Sequence, residues 1–288
     1  MSSYLFSMPT EIVWKVLTLL EPYDVSNTRL TCKRLRTYCD HPSIWKDISL
    51  NPQCLTKEHT TSGALTLWNL LELKEIIQPH LSLIKTIKIL GVRDNIIRYL
   101  ILHCNKLENL TISGWSTLSD HALRVPFQPD QQLCLRRLRL VGRQKSNFTS
   151  LDATTFGKLI AKCPYLEELS VVSCQIHIQA DSFLKSFDFI HRPPEGNLLS
   201  LKSLTMATKR TWSSQHITKL FQLCSSLCVL ALVPDSDNIP EIADEKPPQA
   251  ASLVPIVKSH EPLLEKSVQF VSEQELLEFD NIIIYSSE

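Results

Sequence analysis

The sequence predicts a short N-terminal unit of helices followed by an α/β solenoid, a curved array with parallel strands on its concave face and helices outside. Apolar residues first recur at helical spacing, from residue 8 to about residue 45. From residue 84, a motif of the form apolar-x-x-apolar-x-apolar then occurs six times. Between its copies, Asp, Asn and Ser precede further apolar segments, as they do at the starts of helices.

Three short amphipathic helices are predicted at the N-terminus. Pro9 suits the first position of a helix, where the missing N–H costs nothing. Pro22 and Asp24 end the first helix and begin a second, and the third runs to a turn at residues 40–42. The wide apolar face of the first helix comprises Ile12, Val13, Val16, Leu17, Leu19 and Leu20. A unit this small cannot bury all of these groups, so we expect an exposed apolar patch that binds a partner.

Four short motifs occur at a characteristic spacing between Met8 and Leu50. They are Met8-Pro9-x-Glu11-Ile12, Leu20 before Pro22 and Asp24, Cys32-Lys33-Arg34, and Asp40-x-Pro42-x-Ile44-Trp45. With these motifs the segment resembles an F-box, although the family usually has leucine in place of Met8 and a bulky apolar residue in place of Thr31. An alternative is an ordinary three-helix start to another helical domain.

An F-box at residues 1–48 would bind the Skp adaptor of a cullin ubiquitin ligase. The chemistry of such a ligase lies in other subunits, so the resemblance implies no catalytic residue in this chain. Carried over by position, the six adaptor-binding residues would be Pro9, Ile12, Val16, Leu20, Cys32 and Trp45, of which Trp45 would pack beside the other five at the adaptor surface.

Residues 49–83 are predicted to connect the F-box to the repeats and to provide the first cap of the solenoid. Ile48 and Leu50 alternate as in a strand, which Asn51-Pro52 ends. Residues 64–80 then have the apolar stripe of a helix that ends at Pro79. Trp68 in this stripe is predicted to be a core residue rather than a ligand contact.

The six copies of the motif are assigned to leucine-rich repeats over residues 84–234. They begin at Ile84, Leu107, Leu135, Leu166, Leu201 and Leu227. The intervals between them are 23, 28, 31, 35 and 26 residues, which is typical of this class of repeat. The fourth and sixth residues of each copy would point into the core from a short strand, and a helix would return the chain on the outer face.

Helices are predicted between the strands, after Asp94-Asn95, Asp120, Asp152, Ala180-Asp181 and Ser213-Ser214. Three of them end in Cys-x-x-Leu-x-x-Leu, at Cys104, Cys163 and Cys224, a detail that resembles the cysteine-containing repeats found behind F-boxes. These cysteines are interpreted as small apolar residues at a tight corner. Metal sites at His103-Cys104 or Cys224-x-x-x-Cys228 are disfavoured, because neither has four ligands at zinc spacing.

The C-terminal residues are patterned differently. Residues 235–252 are acidic and proline-rich, which predicts a flexible loop. Residues 253–288 are predicted to form a degenerate terminal repeat or cap. Within it we expect a helix that starts at Leu253, a strand around Val268 to Val271, and a further short helix and strand up to Tyr285.

Composition excludes several classes of function. Lys and Arg total 30, and Asp and Glu also total 30, which argues against a nucleic-acid-binding protein. No apolar run is long enough to span a membrane. Nine scattered cysteines without a secretory signal indicate reduced thiols in the cytoplasm or nucleus. The chain has no glycine-rich phosphate loop, nucleophile elbow or metal-binding histidine pair, so we expect neither an enzyme nor a cofactor.

The concave face of the predicted solenoid is the second candidate site. Its first half would be polar with a basic centre, where Arg137 and Arg139 suit an acidic or phosphorylated protein segment. The alternative is that both arginines pair with Glu168 and only keep the surface soluble. The predicted substrate-binding residues are Lys88, Arg137, Arg139 and Glu168, with Trp115 and Trp212 at the rim.

The expected function is therefore that of a substrate receptor in a Skp–cullin–F-box ubiquitin ligase. The F-box would bind the adaptor and, through it, cullin, while the repeats would bind a protein substrate. The alternative is a scaffold with the same two parts that acts in a protein assembly without cullin.

Overall fold

The structure of the protein is a computed structural model. It describes residues 8–52, 66–115, 117–124, 132–142, 148–172, 180–186, 200–208, 213–224, 226–234, 253–258 and 267–272. The predicted loop at residues 235–252, the predicted elements after residue 272 and Trp212 lie outside these residues. No helix among the described residues is long and apolar enough to cross a membrane.

The N-terminal unit consists of four helices rather than the three predicted. They are α1 (Thr10–Leu17), α2 (Pro22–Thr31), α3 (Lys33–Cys39) and α4 (Pro42–Trp45). The additional helix is a single turn that starts at Pro42 and is capped by the side chain of His41. Val13, Leu17, Val25 and Cys39 are buried inside the unit.

Nine of the eleven described strands form one sheet, and the order of those strands in the sheet follows the chain. The strands are β1 (Asp47–Leu50), β2 (Thr86–Val92), β3 (Asn109–Trp115), β4 (Thr117–Ser119), β5 (Arg137–Val141), β6 (Phe148–Ser150), β7 (Glu168–Val172), β8 (Ser203–Thr208), β9 (Val229–Pro234), β10 (Leu253–Lys258) and β11 (Ser267–Ser272). Only β4 and β6 lie outside the large sheet, and they pair with each other. Pairing in the large sheet is parallel up to β9, and β10 and β11 add to it antiparallel.

The register of the parallel strands aligns the repeated motif. Its fourth residue forms a row across the sheet, from Ile87 in β2 to Leu230 in β9. The sixth residue forms a second row that starts at Ile89 and includes Met206. Residues of both rows are fully buried through to β8, which makes them the centre of the core.

Helices connect the strands, as the sequence predicts. They are α5 (Leu70–Ile77), α6 (Asp94–His103), α7 (Asp120–Leu123), α8 (Ala153–Ala161), α9 (Ala180–Ser186) and α10 (Ser214–Leu223). Asp152 and Ser213 cap α8 and α10 with their side chains. Asp94 does not cap α6: its carboxylate instead accepts hydrogen bonds from the amide and the hydroxyl of Ser119 at the start of the next helix.

Two predicted elements differ in the structure. The connecting helix starts at Leu70, where the side chain of Asn69 caps it. The amide of Trp68 donates to the carbonyl of Gly91 at 2.7 Å, so residues 66–68 stay outside the helix. The helix expected from Leu253 is wrong, since residues 253–258 form β10. Pro255 would break a helix at this place, and the edge of β9 offers backbone hydrogen bonds to a strand.

Trp45 joins the helical unit to the sheet. Its side chain is fully buried, and its indole N–H donates to the carbonyl of Cys39 at 2.6 Å. Its ring stacks on His80, in the short 3₁₀ turn Gln78–His80 after α5, with 3.9 Å between ring centroids. A buried Trp45 cannot lie on an adaptor-binding surface, so its inclusion there from the sequence is corrected to a packing role.

His80 is neutral at physiological pH. We call the contact between Trp45 and His80, where the helical unit meets the sheet, the seam. Burial lowers the pKa of the imidazole to about 4, although Asp40 is nearby and opposes the shift. The Asp40 carboxylate lies 3.6 Å from His80 Nε2 and pairs with Arg29 at 2.5 Å. The seam therefore contains a titratable group that folding keeps uncharged.

We expect His80 to make stability fall as the pH is lowered. The unfolded chain binds this proton below about pH 6.5, whereas the folded chain binds it only near pH 4. From pH 7 to pH 5, His80 should therefore cost about 2 kcal/mol of unfolding free energy. His80→Phe keeps a ring against Trp45 and should remove this loss in urea unfolding.

The exposed His103 provides the matched control. The His103→Phe variant should lose as much stability between the two pH values as the native chain. Equal losses in native and His80→Phe proteins would contradict the role of His80.

Candidate interaction surfaces

The helical unit exposes a stripe of apolar side chains, which we call the helical surface: Met8, Pro9, Ile12, Val16, Leu19 and Leu20. Ile12, Val16 and Leu20 are spaced four residues apart and keep 47%, 44% and 39% of their surface exposed. Val13 and Leu17, on the adjacent face of α1, are buried in the core of the helical unit. One face of the helix thus holds the unit together while the other remains open.

Cys32 lies in the turn between α2 and α3 and is exposed. Its sulfur accepts a weak hydrogen bond from the amide of Leu35 at 3.4 Å and so caps α3. Of the six residues that the sequence assigns to adaptor binding, Pro9, Ile12, Val16, Leu20 and Cys32 are exposed. Trp45 is the exception, as its burial shows.

The second surface is the side of the sheet opposite the buried rows, which we call the open sheet face. It comprises Thr86, Lys88, Asn109, Thr111, Arg137, Arg139, Glu168, Ser170, Ser203 and Thr205. The register places Lys88, Thr111 and Arg139 side by side on three adjacent strands. Next to Arg139 follow Ser170 and Thr205, whose small side chains are almost fully covered by their neighbours.

Glu168 pairs with both arginines on this face. Arg139 Nη2 and Nε lie 2.5 Å and 2.7 Å from its Oε1 atom, and Arg139 is only 16% exposed. Arg137 Nε is 3.7 Å from Oε2, and its side chain is 61% exposed. The pairing that formed the alternative interpretation is therefore present, and it engages Arg139 far more closely than Arg137.

Trp115 does not rim the open sheet face, contrary to the expectation from the sequence. It is fully buried at the end of β3. Gly114, just before it, has a positive φ of 59°, which breaks the alternation of the strand and turns Trp115 inward. Gly91 does the same for Val92, which lies opposite Trp115 in the register.

The residues immediately before the strands carry charged side chains that pair with one another in a column across the sheet. This column was not predicted from the sequence. Lys85 pairs with Glu108 at 2.6 Å, and Glu167 pairs with Arg136 at 3.3 Å and Lys202 at 3.4 Å. The hydrogen bond from Lys85 lowers the pKa of Glu108, with further help from nearby cations. The signal was available: the second position of the motif alternates in sign from Lys85 to Lys202.

The buried cysteines have the properties of packing residues. Burial raises the pKa of the thiols of Cys104, Cys163 and Cys224 to about 12, so that they remain protonated. Each sits at the corner before a strand, where its carbonyl accepts a hydrogen bond from the leucine three residues later. Among the residues that the structure describes, no three His, Cys, Asp or Glu side chains are grouped to hold a metal ion.

Comparison with known protein families bears on the helical unit. No curated protein sequence matches the chain. The family model described as F-box-like matches residues 5–51, which contain all four helices of the unit and strand β1. F-box domains generally bind the Skp adaptor. The match therefore supports an F-box protein, in which an F-box-like helical region is followed by a largely parallel sheet with connecting helices.

Proposed function

We propose that this chain is the substrate-recognition subunit of a Skp–cullin–F-box ubiquitin ligase. The helical surface binds the Skp adaptor, and cullin joins through the adaptor. The sheet selects the protein to be modified. The chain itself acts without a catalytic residue or a cofactor, as a non-catalytic subunit in the cytoplasm or nucleus.

The exposed apolar stripe along α1 and the turn after it is the observation that carries the adaptor assignment. Ile12, Val16 and Leu20 lie within the F-box-like match and leave roughly half of their apolar surface in water. Covering one such side chain at an interface contributes about 1 to 2 kcal/mol. Three of them in one line are a sufficient anchor for an apolar groove or helix of the adaptor.

The substrate assignment rests on the form of the sheet. We assign the sheet to a leucine-rich-repeat solenoid. This assignment is supported by the six copies of the motif, which supply consecutive parallel strands in one register. Repeat arrays of this kind bind proteins along their open face. On this face Lys88 has no described ion pair and Arg137 is largely exposed, so both are available to an acidic segment of a substrate.

We expect the adaptor to bind through Ile12. Replacing Ile12 by Asp places an unpaired charge in the apolar interface and should weaken adaptor binding by at least about a hundredfold. Isothermal titration of the full chain with purified Skp adaptor measures this. The Pro9→Ala, Ile12→Asp double variant should bind the adaptor at least as weakly as the Ile12→Asp variant.

The control for this variant is Leu71→Asp. Leu71 is 69% exposed on α5, outside the helical surface, so its replacement changes charge and hydrophobicity equally. It should bind the adaptor like the native chain, and circular dichroism should show both variants folded. A folded native chain that fails to bind the adaptor would rule out the proposal.

Cullin separates the ligase from a scaffold. When cullin is added to the preformed complex of this chain with the adaptor, we expect all three proteins to elute together in size-exclusion chromatography. A stable adaptor complex from which cullin is excluded would instead establish the alternative, an F-box scaffold that acts without cullin.

Charge reversal on the open sheet face should release the substrate. In a Lys88→Glu, Arg137→Glu double variant the Arg139–Glu168 pair is untouched, so we expect the sheet to remain folded. The recovered amount of each partner that binds this face should decrease at least about tenfold in quantitative affinity purification, whereas the recovered amount of the adaptor should stay the same.

An Arg124→Glu, Lys158→Glu variant reverses two exposed charges outside the face and serves as the control. It should retain every partner. Partner sets that are the same for both double variants would overturn the assignment of the face.

A further inference from the structure

Among the strands that the structure describes, β1 forms one edge of the large sheet. Within the part of the chain that the structure describes, β1 pairs with β2 and with no other strand. The carbonyl of Lys46 accepts hydrogen bonds from the amides of Lys85 and Thr86, so the backbone of Lys46 faces the β2 side. Because alternate residues of a strand direct their backbone groups to opposite sides, Asp47 and Ser49 offer theirs to the open edge. Such an edge is a template for another strand.

A groove runs beside this edge. It has a volume of about 320 Å³ and lies between β1 and the turn that connects α1 to α2. Its lining is mixed: Leu19, Pro22, Val25 and Ile44 supply the apolar part, and Thr18, Ser43, Ser49 and Asn51 supply polar groups. Leu19 is the most exposed of the large apolar residues in the helical unit. The groove can therefore receive an apolar side chain from a segment that pairs with β1.

The charge of the groove is one-sided. Glu21 and Asp47 are its charged lining residues, and no lysine or arginine lines it. Asp47 is exposed on β1 itself, at a position whose backbone faces the open edge. A lysine or arginine carried by a bound segment would meet a carboxylate here without displacing a basic residue of the groove.

We propose that this groove binds an extended segment of a partner protein as an added strand on β1. The segment places an apolar side chain against Leu19, Pro22 and Val25 and a lysine or arginine next to Asp47. This recognition mode combines backbone hydrogen bonds from the edge with side-chain specificity from the groove. A second copy of this chain fits less well, because pairing of two β1 edges would bring two Asp47 carboxylates close together.

The inference goes beyond adaptor and substrate binding, because the backbone of β1 and the Asp47 carboxylate belong to neither the helical surface nor the open sheet face. Of the side chains that the bound segment contacts, only Leu19 also belongs to the helical surface. The probe is a phage library of random peptides about ten residues long, the upper range of natural strands. The full chain is the target. Enriched peptides should alternate apolar and other residues and carry Lys or Arg, and they are then synthesised for fluorescence anisotropy.

Three variants test where the selected peptides bind. Ser49→Pro removes an N–H that points away from β2, whereas Ser49→Ala keeps it and is the matched control. Asp47→Lys reverses the charge of the edge. We expect Ser49→Pro and Asp47→Lys each to weaken binding at least about tenfold and Ser49→Ala to leave it unchanged. Bound peptide should also slow hydrogen exchange of the amides of Asp47 and Ser49.

Several results would overturn the proposal. One is a library from which no peptide is enriched on the native chain. Another is a set of peptides that bind the Asp47→Lys variant as tightly as the native protein, a test that remains decisive if Ser49→Pro does not fold. Dimers in sedimentation that dissociate in the Asp47→Lys or Ser49→Pro variant would show that the edge is occupied by a second copy instead of a partner.

Discussion

The stacking of Trp45 on His80 is the contact on which the arrangement of the whole chain depends. Trp45 is the last residue of α4, and β1 begins two residues later at Asp47. The last helical turn and the first strand are therefore separated only by Lys46. The indole is buried with its N–H satisfied by Cys39, and the imidazole that covers it comes from the turn before β2. The helical unit is thus packed into the first layer of the sheet and is not attached by a linker.

From this seam a chain of backbone hydrogen bonds extends along the sheet. The carbonyl of Lys46 accepts two amides of the next repeat, and the carbonyls of Lys85, Glu108, Arg136, Glu167 and Lys202 do the same in turn. At the other end of the strands, Asp94 binds Ser119 and Asp120 binds the amide of Asp152. The carbonyl contacts therefore join neighbouring repeats along the whole sheet, and the first three repeats are also joined at the other end of their strands. This dependence on neighbours explains why the spacing of the motif can vary between 23 and 35 residues: the insertions fall outside the paired positions.

The charged residues of the sheet divide into those already paired and those still available. Arg139 and Glu168 satisfy each other with most of their surface covered. The pairs of the column from Lys85 to Lys202 are more exposed, with 42% of the Lys85 side chain and 60% of the Lys202 side chain in contact with water. Such pairs in a partly exposed surface add little to stability, and their value lies in setting which charge faces outward. The charges outside these close pairs are fewer than the sequence implies. On the open sheet face they are Lys88 and Arg137, whose Nε atom lies 3.7 Å from Glu168, and at the edge of the sheet there is Asp47.

Sequence alone was sufficient for the elements whose signal is local. The apolar periodicity of the first helix, the motif that starts each strand and the caps Asp152 and Ser213 all act within a few residues, so they predict helices and strands that the structure contains. Which side of those elements is exposed depends on distant residues. Trp45 and Trp115 are predicted from the sequence to lie at binding surfaces. In the structure, His80 covers Trp45, and Gly114 turns Trp115 into the core. Arg139 forms an ion pair with Glu168, which is 29 residues away in the sequence. Leu253 begins a strand because the edge of β9 is available for pairing. Local pattern determines secondary structure, whereas burial and pairing are properties of contacts between segments far apart in the chain, and only the tertiary structure decides them.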